Sequence, residues 1–263
     1  MNAEDISAFQ DFLLFLEETD STNRYLQELS QQKKLNEGTS VFALYQTSGR
    51  GLCGNSWESE KGKNILFSSI FYPIVLSASN PFYLSEVASI SILQALKEAV
   101  EPFDKNAASE FSIKWPNDIY WQEKKMGGIL IENTVVNNRI VQSIIGAGVN
   151  INQEVFKSSA PNPVSLKQIK GTDSDLRLIF ICIIENLYQN YIRILKNDLN
   201  LIHSIYMDNL FRKNGLHPFL SKEKEKFYAS VKRIEPSGAL VLESEDKRER
   251  TFMFKEVEFV RDG

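Results

Sequence analysis

Four short segments of this 263-residue chain combine glycine, cationic and amide residues in a way that suits anion binding. The first contains Gly49, Arg50 and Gly51 and ends at Trp57. Glycines let backbone N–H groups approach an anion closely, and arginine offers a planar fork of donors. Most glycine-rich stretches are mobile surface loops, so this segment alone is a weak signal. It gains weight from the other three, which follow in the order Lys114 to Asp118, Lys124 to Glu132 and Gly146 to Asn152.

The order of these segments resembles the pattern of the biotin–protein ligase family. That pattern is Ser-Thr-Asn, then Gly-Arg-Gly with a later Gly and Trp, then Lys-Trp-Pro-Asn-Asp, then Lys with Gly-Ile-Leu, then Gly-x-Gly-x-Asn. The match runs from about Asp20 to Asn152. The resemblance implies an enzyme that activates biotin with ATP as biotinyl-5'-AMP and transfers the biotinyl group to one lysine. The acceptor it implies is a biotin carboxyl carrier protein, or the corresponding domain of a biotin-dependent carboxylase.

The resemblance also assigns a biotin pocket. Biotin has a polar ureido ring, an apolar bicycle and a carboxylate, so its pocket needs a few polar groups on apolar walls. Ser21, Thr22 and Gln46 match the positions that contact the ureido ring. The alternative for 21–23 is a helix cap, because short polar side chains precede a helical pattern there. The full set implied is Ser21, Thr22, Asn23, Gln46, Gly49, Arg50, Gly51, Leu52, Lys125, Gly128 and Gly148.

Joining a carboxylate to the α-phosphate of ATP concentrates negative charge, which cations must offset. We therefore expect Arg50 and Lys125 to be the catalytic residues. For Lys125 the alternative is a solvated lysine in a run of charges. Trp57 is the expected stacking face for the purine, and its alternative is a core tryptophan. The set implied for ATP and adenylate is Arg50, Trp57, Asn117, Asp118, Lys125 and Asn150.

ATP and biotin are the expected substrates, and magnesium is expected to enter with the triphosphate. Asp118 is a candidate to orient either Lys125 or this ion. The chain has two histidines, His203 and His217, and neither has sequence neighbours that would form a metal site. We therefore expect no metal ion held directly by the protein.

The elements that must position these residues indicate an α+β fold. By resemblance they form an SH2-like catalytic domain, of the kind shared by class II synthetases and biotin ligases, with a mixed sheet. Helical periodicity predicts helices up to residue 32 and over 81–100, 173–197 and 199–211. Strand patterns are found at 40–45, 64–71, 112–121 (broken by Pro116), 127–133 and 140–151.

The composition changes after His217, since 20 of the last 46 residues are charged. Strand patterns at 226–234, 239–243 and 250–254 alternate there with turns. We expect a catalytic domain at 1–217 and a small SH3-like β-barrel at 218–263. Only about 16 residues precede the first expected element, which is too few for the helix-turn-helix domain that some family members carry.

The formal net charge of −4 shows no basic excess for binding nucleic acid. The longest apolar run, 178–184, is shorter than the roughly 20 residues of a membrane helix, and the N-terminus lacks a basic leader. Two cysteines are too few for a disulfide framework. We expect a cytoplasmic protein without DNA or membrane partners, and the sequence leaves monomer and homodimer both open.

Two other functions stay open at this point. A lipoate or octanoate ligase of the same superfamily would need a longer apolar channel and would not explain 49–51 together with Trp57. A non-catalytic sensor of biotin or adenylate would not need Arg50 and Lys125. Comparing biotin with lipoate and octanoate as substrates would distinguish the first alternative from a biotin ligase. A Lys125→Ala variant would distinguish the second, because it should abolish adenylate formation in an enzyme but leave the partner binding of a sensor largely unchanged.

Leu52 departs from the family pattern, in which many members have a second arginine at this position. A neutral side chain cannot hold the adenylate phosphate by charge. We therefore predict that biotinyl-adenylate is retained through Arg50, Lys125 and backbone N–H groups, and that it dissociates faster than from arginine-bearing relatives. A chase of labelled adenylate with excess unlabelled adenylate measures this rate, and dissociation as slow as in those relatives would contradict the prediction.

Overall fold

Two sheets organise the chain in a computed structural model that describes residues 12–157 and 162–260. The first is a seven-stranded sheet in the order β1-β2-β3-β7-β6-β5-β4. Strands β1 and β2 are parallel and all other neighbours are antiparallel, which confirms the expected mixed sheet. Its strands are β1 (Leu13–Leu16), β2 (Ser40–Ala43), β3 (Ile65–Phe71), β4 (Phe111–Lys114), β5 (Asp118–Trp121), β6 (Lys124–Val136) and β7 (Arg139–Val149).

Helices cover both faces of this sheet. The described residues form α1 (Thr22–Gln32), α2 (Phe82–Val100), α3 (Lys105–Ser109), α4 (Leu166–Lys170), α5 (Leu176–Leu195) and α6 (Leu199–Asp208). Most of α2 is buried because it packs against both α5 and α6, and a helix with apolar residues on all sides is stable only in such a position. By contrast α1 packs on the opposite face, against β2, β3 and β7.

The core beneath α2 and α5 is rich in aromatic residues. Phe180 of α5 lies 5.1 Å from Phe42 and 5.7 Å from Phe67, measured between ring centroids. Helix α5 is long and apolar enough, by length and composition, to cross a membrane, yet half of its most apolar window is buried inside the protein. Burial of this kind is typical of a core helix.

Strand alternation decides which residues can form a site. In β3 the side chains of Ile65, Phe67 and Phe71 join the core beneath α2, while Ile70 joins the smaller cluster beneath α1. Successive side chains of a strand point to opposite faces. Between the β-bulges of the sheet, the even-numbered residues of β3, of 128–134 in β6 and of 142–148 in β7 therefore share the face on which α1 lies.

One expected strand is in fact two. The pattern at 112–121 predicts a single strand broken by Pro116, whereas the structure has β4 and β5 paired as a hairpin around the cis peptide bond Trp115–Pro116. Proline has no backbone N–H for a sheet ladder, so the chain turns there. Several short elements were not expected, namely β1, α3, α4 and two strands of the second sheet.

The second sheet is small and antiparallel, with strand order β11-β10-β9-β8-β12. Its first strand begins at His217, and the domain boundary predicted between residues 217 and 218 stays a prediction. The outer ends of both predicted domains, 1–11 and 261–263, lie outside the described residues. The α+β class with a small C-terminal β unit is confirmed. Its strands are β8 (His217–Ser221), β9 (Lys226–Ile234), β10 (Leu240–Ser244), β11 (Glu249–Phe252) and β12 (Val257–Phe259).

The turn between β9 and β10 docks the second sheet on the first part of the chain. Trp115 Nε1 donates to the carbonyl oxygen of Gly238 at 2.9 Å, and the backbone N–H of Phe82 donates to the carbonyl oxygen of Pro236 at 3.2 Å. Gly238 has a φ of +93°, and a Cβ at this position would lie 2.8 Å from Phe82 Cδ2. This turn therefore requires glycine for two reasons.

We predict that Gly238→Ala destabilises the protein more than Gly171→Ala. Both glycines have a left-handed φ, which costs about 1–2 kcal/mol for alanine, but a Cβ at Gly171 would meet nothing within 4 Å. Overpacking against Phe82 adds about 1–3 kcal/mol at Gly238. Urea denaturation gives the free energies of unfolding, and equal losses for the two variants would contradict the close contact with Phe82.

Candidate active site

A cavity of about 720 Å³ lies between the α1 face of the first sheet and the second sheet. All but two of the predicted site residues line it; Gly49 and Asn150 do not. The predicted residues in its wall are Ser21, Thr22, Asn23, Gln46, Arg50, Gly51, Leu52, Trp57, Asn117, Asp118, Lys125, Gly128 and Gly148. Segments as far apart in sequence as Ser21 and Gly148 therefore meet at one place.

One end of the cavity is a buried hydrogen-bond network at the start of α1. Gln46 Oε1 accepts from the backbone N–H of Thr22 at 2.7 Å and from its hydroxyl at 3.0 Å. Ser68 Oγ lies 2.7 Å from Thr22 Oγ1 and 2.6 Å from Asn23 Oδ1. Ser21 occupies the N-cap position of α1, but its side chain makes no capping hydrogen bond. The helix-cap alternative for these residues is thus wrong.

Asn23 and Arg50 meet on a carboxylate that the sequence did not single out. Glu132 accepts two hydrogen bonds from the Arg50 guanidinium, at 3.1 and 2.8 Å, and one from Asn23 Nδ2 at 2.7 Å. Arg50 is therefore held by a bidentate ion pair with its side chain 35% exposed. Within the described part of the chain, its buried Nε has no hydrogen-bond partner.

The glycines of β6 and β7 leave a strip of bare backbone, on which Trp57 lies. Gly128 and Gly148 are paired directly across the two strands. A Cβ on Gly148 would lie 2.3 Å from Trp57 Cε2, and one on Gly128 would lie 3.1 Å from Trp57 Cζ3. Gly146 makes room for Asn23 in the same way, since a Cβ there would lie 2.0 Å from Asn23 Oδ1. In this structure these glycines accommodate protein side chains.

The cation predicted for the other end of the cavity is in place. Lys125 Nζ forms an ion pair with Asp118 Oδ1 at 2.7 Å, and the two side chains are 23% and 20% exposed. The ammonium also lies 5.9 Å from the centre of the Trp57 ring. The interpretation of Lys125 as a solvated surface lysine is therefore wrong.

The two asparagines occupy different environments. Asn117 lines the cavity, and its Nδ2 donates to the carbonyl oxygen of Ile129 at 2.8 Å. Asn150 is buried outside the wall, and its Nδ2 donates to the carbonyl oxygen of Val164 at 3.2 Å. Gly49 also lies outside the wall, at the base of the loop, where its carbonyl oxygen accepts from the backbone N–H of Trp57 at 2.9 Å.

Sequence reasoning missed one lysine at the rim of the cavity. Lys114 Nζ donates to the hydroxyl of Tyr120 at 3.1 Å and lies 4.6 to 5.7 Å from the ring centres of Tyr120, Phe211 and Phe259. Burial among these rings lowers the pKa of Lys114 below its usual range. Its place in the Lys-Trp-Pro-Asn-Asp segment was the available signal.

The second sheet closes the cavity with residues that carried no sequence signal. The lining residues from the end of the chain are Phe254, Lys255, Val257, Glu258 and Phe259. Among residues 12–157 and 162–260, no three His, Cys, Asp or Glu side chains are grouped so as to hold a metal ion. His203 instead pairs with Glu86, with 2.7 Å between Nδ1 and Oε1.

Known proteins resemble this chain in both sequence and structure. The model of the biotin/lipoate A/B protein ligase family matches residues 15–150. The bifunctional ligase/repressor BirA of Escherichia coli is 30% identical in an alignment 245 residues long that covers 86% of this chain and 67% of that protein. A biotin--[acetyl-CoA-carboxylase] ligase of Paracoccus denitrificans is 33% identical in an alignment 162 residues long that covers 59% of this chain and 63% of that protein.

Among solved structures, the biotin protein ligase of Aquifex aeolicus in complex with biotin and ATP superposes with a TM-score of 0.74 at 26% identity. The match covers 95% of this chain and 99% of that one. It therefore includes both the seven-stranded sheet and the second sheet.

We predict that Gly148→Ala displaces Trp57 from the bare backbone strip, because its Cβ would overlap the indole. Gly128→Ala is the matched control, since its Cβ would be in tighter contact but would not overlap. Tryptophan emission, taken as the difference from a Trp57→Phe variant in each background, should shift to the red only for Gly148→Ala. An unshifted spectrum would mean that Trp57 does not lie on this strip.

Proposed function

The chain belongs to the biotin/lipoate A/B protein ligase family, and from this premise we propose that it is a biotin–protein ligase. In its first reaction ATP activates biotin as biotinyl-5'-AMP, and in its second the biotinyl group passes to a lysine of an acceptor protein. One observation carries the proposal. The hydrogen-bond network at Thr22 and the ion pair of Lys125 open into a single cavity, so one ligand can reach both.

The network at the start of α1 suits the ureido ring of biotin. Hydroxyl and amide groups can both donate and accept, as a ring with one carbonyl and two N–H groups requires. Thr22 and Gln46 already hydrogen-bond each other, which fixes their orientation before a ligand arrives. Apolar wall residues suited to the bicycle are Leu52 and Leu130.

The cationic end suits the adenylation step. A carboxylate oxygen of biotin attacks the α-phosphorus of ATP, a bond forms between them, and the bond from that phosphorus to pyrophosphate breaks. Lys125 can follow the negative charge onto the leaving pyrophosphate, with Asp118 orienting its ammonium. We assign Arg50 to the same charge, together with backbone N–H groups of its loop.

Trp57 and Asn117 are proposed contacts of the adenosine. The indole rests on backbone at Gly148, so its other face is the one that could stack on a purine. The predicted contact of Asn150 with adenylate stays a prediction. Its amide is already bonded to Val164, which favours a role in holding the end of β7.

Magnesium fits this site only in company with the nucleotide. Asp118 is the cavity carboxylate predicted to meet it, and that carboxylate is paired with Lys125. The described residues offer no group of three acidic or metal-ligating side chains. We therefore propose that triphosphate oxygens supply most of the magnesium ligands, and that the protein contributes at most Asp118.

The second reaction needs an amine from outside the chain. The neutral amino group of an acceptor lysine attacks the carbonyl carbon of the mixed anhydride, an amide forms and AMP leaves. We propose a biotin carboxyl carrier protein or domain as this acceptor. The relative of this chain from Paracoccus denitrificans is named as a ligase that acts on acetyl-CoA carboxylase, which supports this choice. A cytoplasmic location is part of the same proposal, with monomer and homodimer both left open, and the free thiol of Cys182 is in keeping with a reducing compartment.

We predict that pyrophosphate release from ATP and magnesium depends on biotin, and that Lys125→Ala lowers its rate by about a hundredfold or more. The neighbouring exposed Lys124 is the matched control, so Lys124→Ala should keep nearly the full rate. Pyrophosphate release with lipoate or octanoate in place of biotin would instead identify a lipoate or octanoate ligase of the same superfamily. No release with any of the three acids would favour a sensor.

A further inference from the structure

Glu132 lies on the cavity face of β6, between the two polar regions of the site. It shares this face with Gly128 and Leu130, because alternate residues of a strand point the same way. Its side chain is 37% exposed, yet both carboxylate oxygens are engaged by protein donors. None of the roles assigned above depends on this residue.

The partners of Glu132 come from two different parts of the site. Arg50 belongs to the glycine-rich loop, and its guanidinium meets both carboxylate oxygens, the strongest geometry for this kind of pair. Asn23 belongs to the first turn of α1 and donates to Oε2 at 2.7 Å. One carboxylate of β6 thus joins the loop to the helix.

Asn23 extends this connection to the ring-binding network. Its Oδ1 lies 2.6 Å from Ser68 Oγ, which lies 2.7 Å from Thr22 Oγ1, and the hydroxyl of Thr22 lies 3.0 Å from Gln46 Oε1. Contacts of hydrogen-bonding length therefore connect Gln46 to Arg50, with the single Ser68 proton serving either Thr22 or Asn23. Gly146 leaves the space that Asn23 needs to sit between Ser68 and Glu132.

We propose that Glu132 is a positioning residue that holds the loop at Arg50 closed over the cavity and couples this closure to the polar groups around Asn23. The proposal deepens the assignment as a biotin ligase and rests on it. Biotin would then meet a loop and a ring-binding network that are already in register. Glutamine cannot replace Glu132, because its NH2 group would face a donor, either Arg50 or Asn23. Aspartate keeps the charge but is one methylene shorter.

The first test follows the loop and needs no ligase activity. Trypsin cleaves after Arg50 only when the loop opens, and mass spectrometry measures the rate of this cut. We expect Glu132→Gln to raise the rate at least about fivefold, and Glu132→Asp to raise it less. The control is Glu249→Gln, which removes an exposed ion pair with Arg233 on the second sheet and should leave the rate unchanged. An increase of less than about fivefold in the cleavage rate of Glu132→Gln over the wild type would overturn the proposal.

The second test separates positioning from a general loss of folding. With an unchanged melting temperature, Glu132→Gln should raise the KM for biotin by about tenfold, with kcat lowered less than threefold, because fewer molecules have the loop closed. Glu132→Asp should recover part of the loss. A KM unchanged within twofold would overturn the coupling to biotin. If the wild type releases no pyrophosphate with any acid, the proposed function fails, while the trypsin rates still decide whether Glu132 anchors the loop.

Discussion

The constraint on which the site depends is the alternation of side chains in β3, β6 and β7. These strands bury large apolar residues against α2 and α5 on one face, and such a face tolerates few substitutions because interiors are close-packed. The other face is thereby free to carry small and polar residues. Ser68, Glu132 and the glycines at 128, 146 and 148 all lie on it. A shift of one residue in any of these strands would exchange the two sets.

Each of the two predicted cations of the site is paired with a carboxylate of the protein itself. Arg50 is held by Glu132 and Lys125 by Asp118. Two cations facing one cavity would repel each other, and the carboxylates offset this repulsion. They also fix the geometry of each cation, so little reorganisation is needed when negative charge develops. Because both pairs are about one-fifth to one-third exposed, solvent screens them, and their value lies more in orientation than in stability.

Much of the site could be predicted from the sequence because its segments carry unusual residue types in a fixed order. Thr22, Arg50 and Lys125 were found in this way. Glu132 was not, since its partner Arg50 is 82 residues earlier and a glutamate at the end of a strand pattern has many ordinary explanations. Strand β12 is only three residues long and is specified by its pairing with β8, which no local pattern reveals.

The second sheet completes the wall of the cavity, with Phe254 and Phe259 on its inner side. A molecule that contacts both the first sheet and these two side chains binds the docked arrangement more tightly than an undocked one. By thermodynamic linkage, docking must then strengthen the binding of that molecule by the same factor. The turn at Gly238 therefore influences ligand affinity although it is not one of the residues assigned to the reaction. Natural variation at this interface could adjust the affinity of the enzyme to the concentration of its substrates without altering its chemistry.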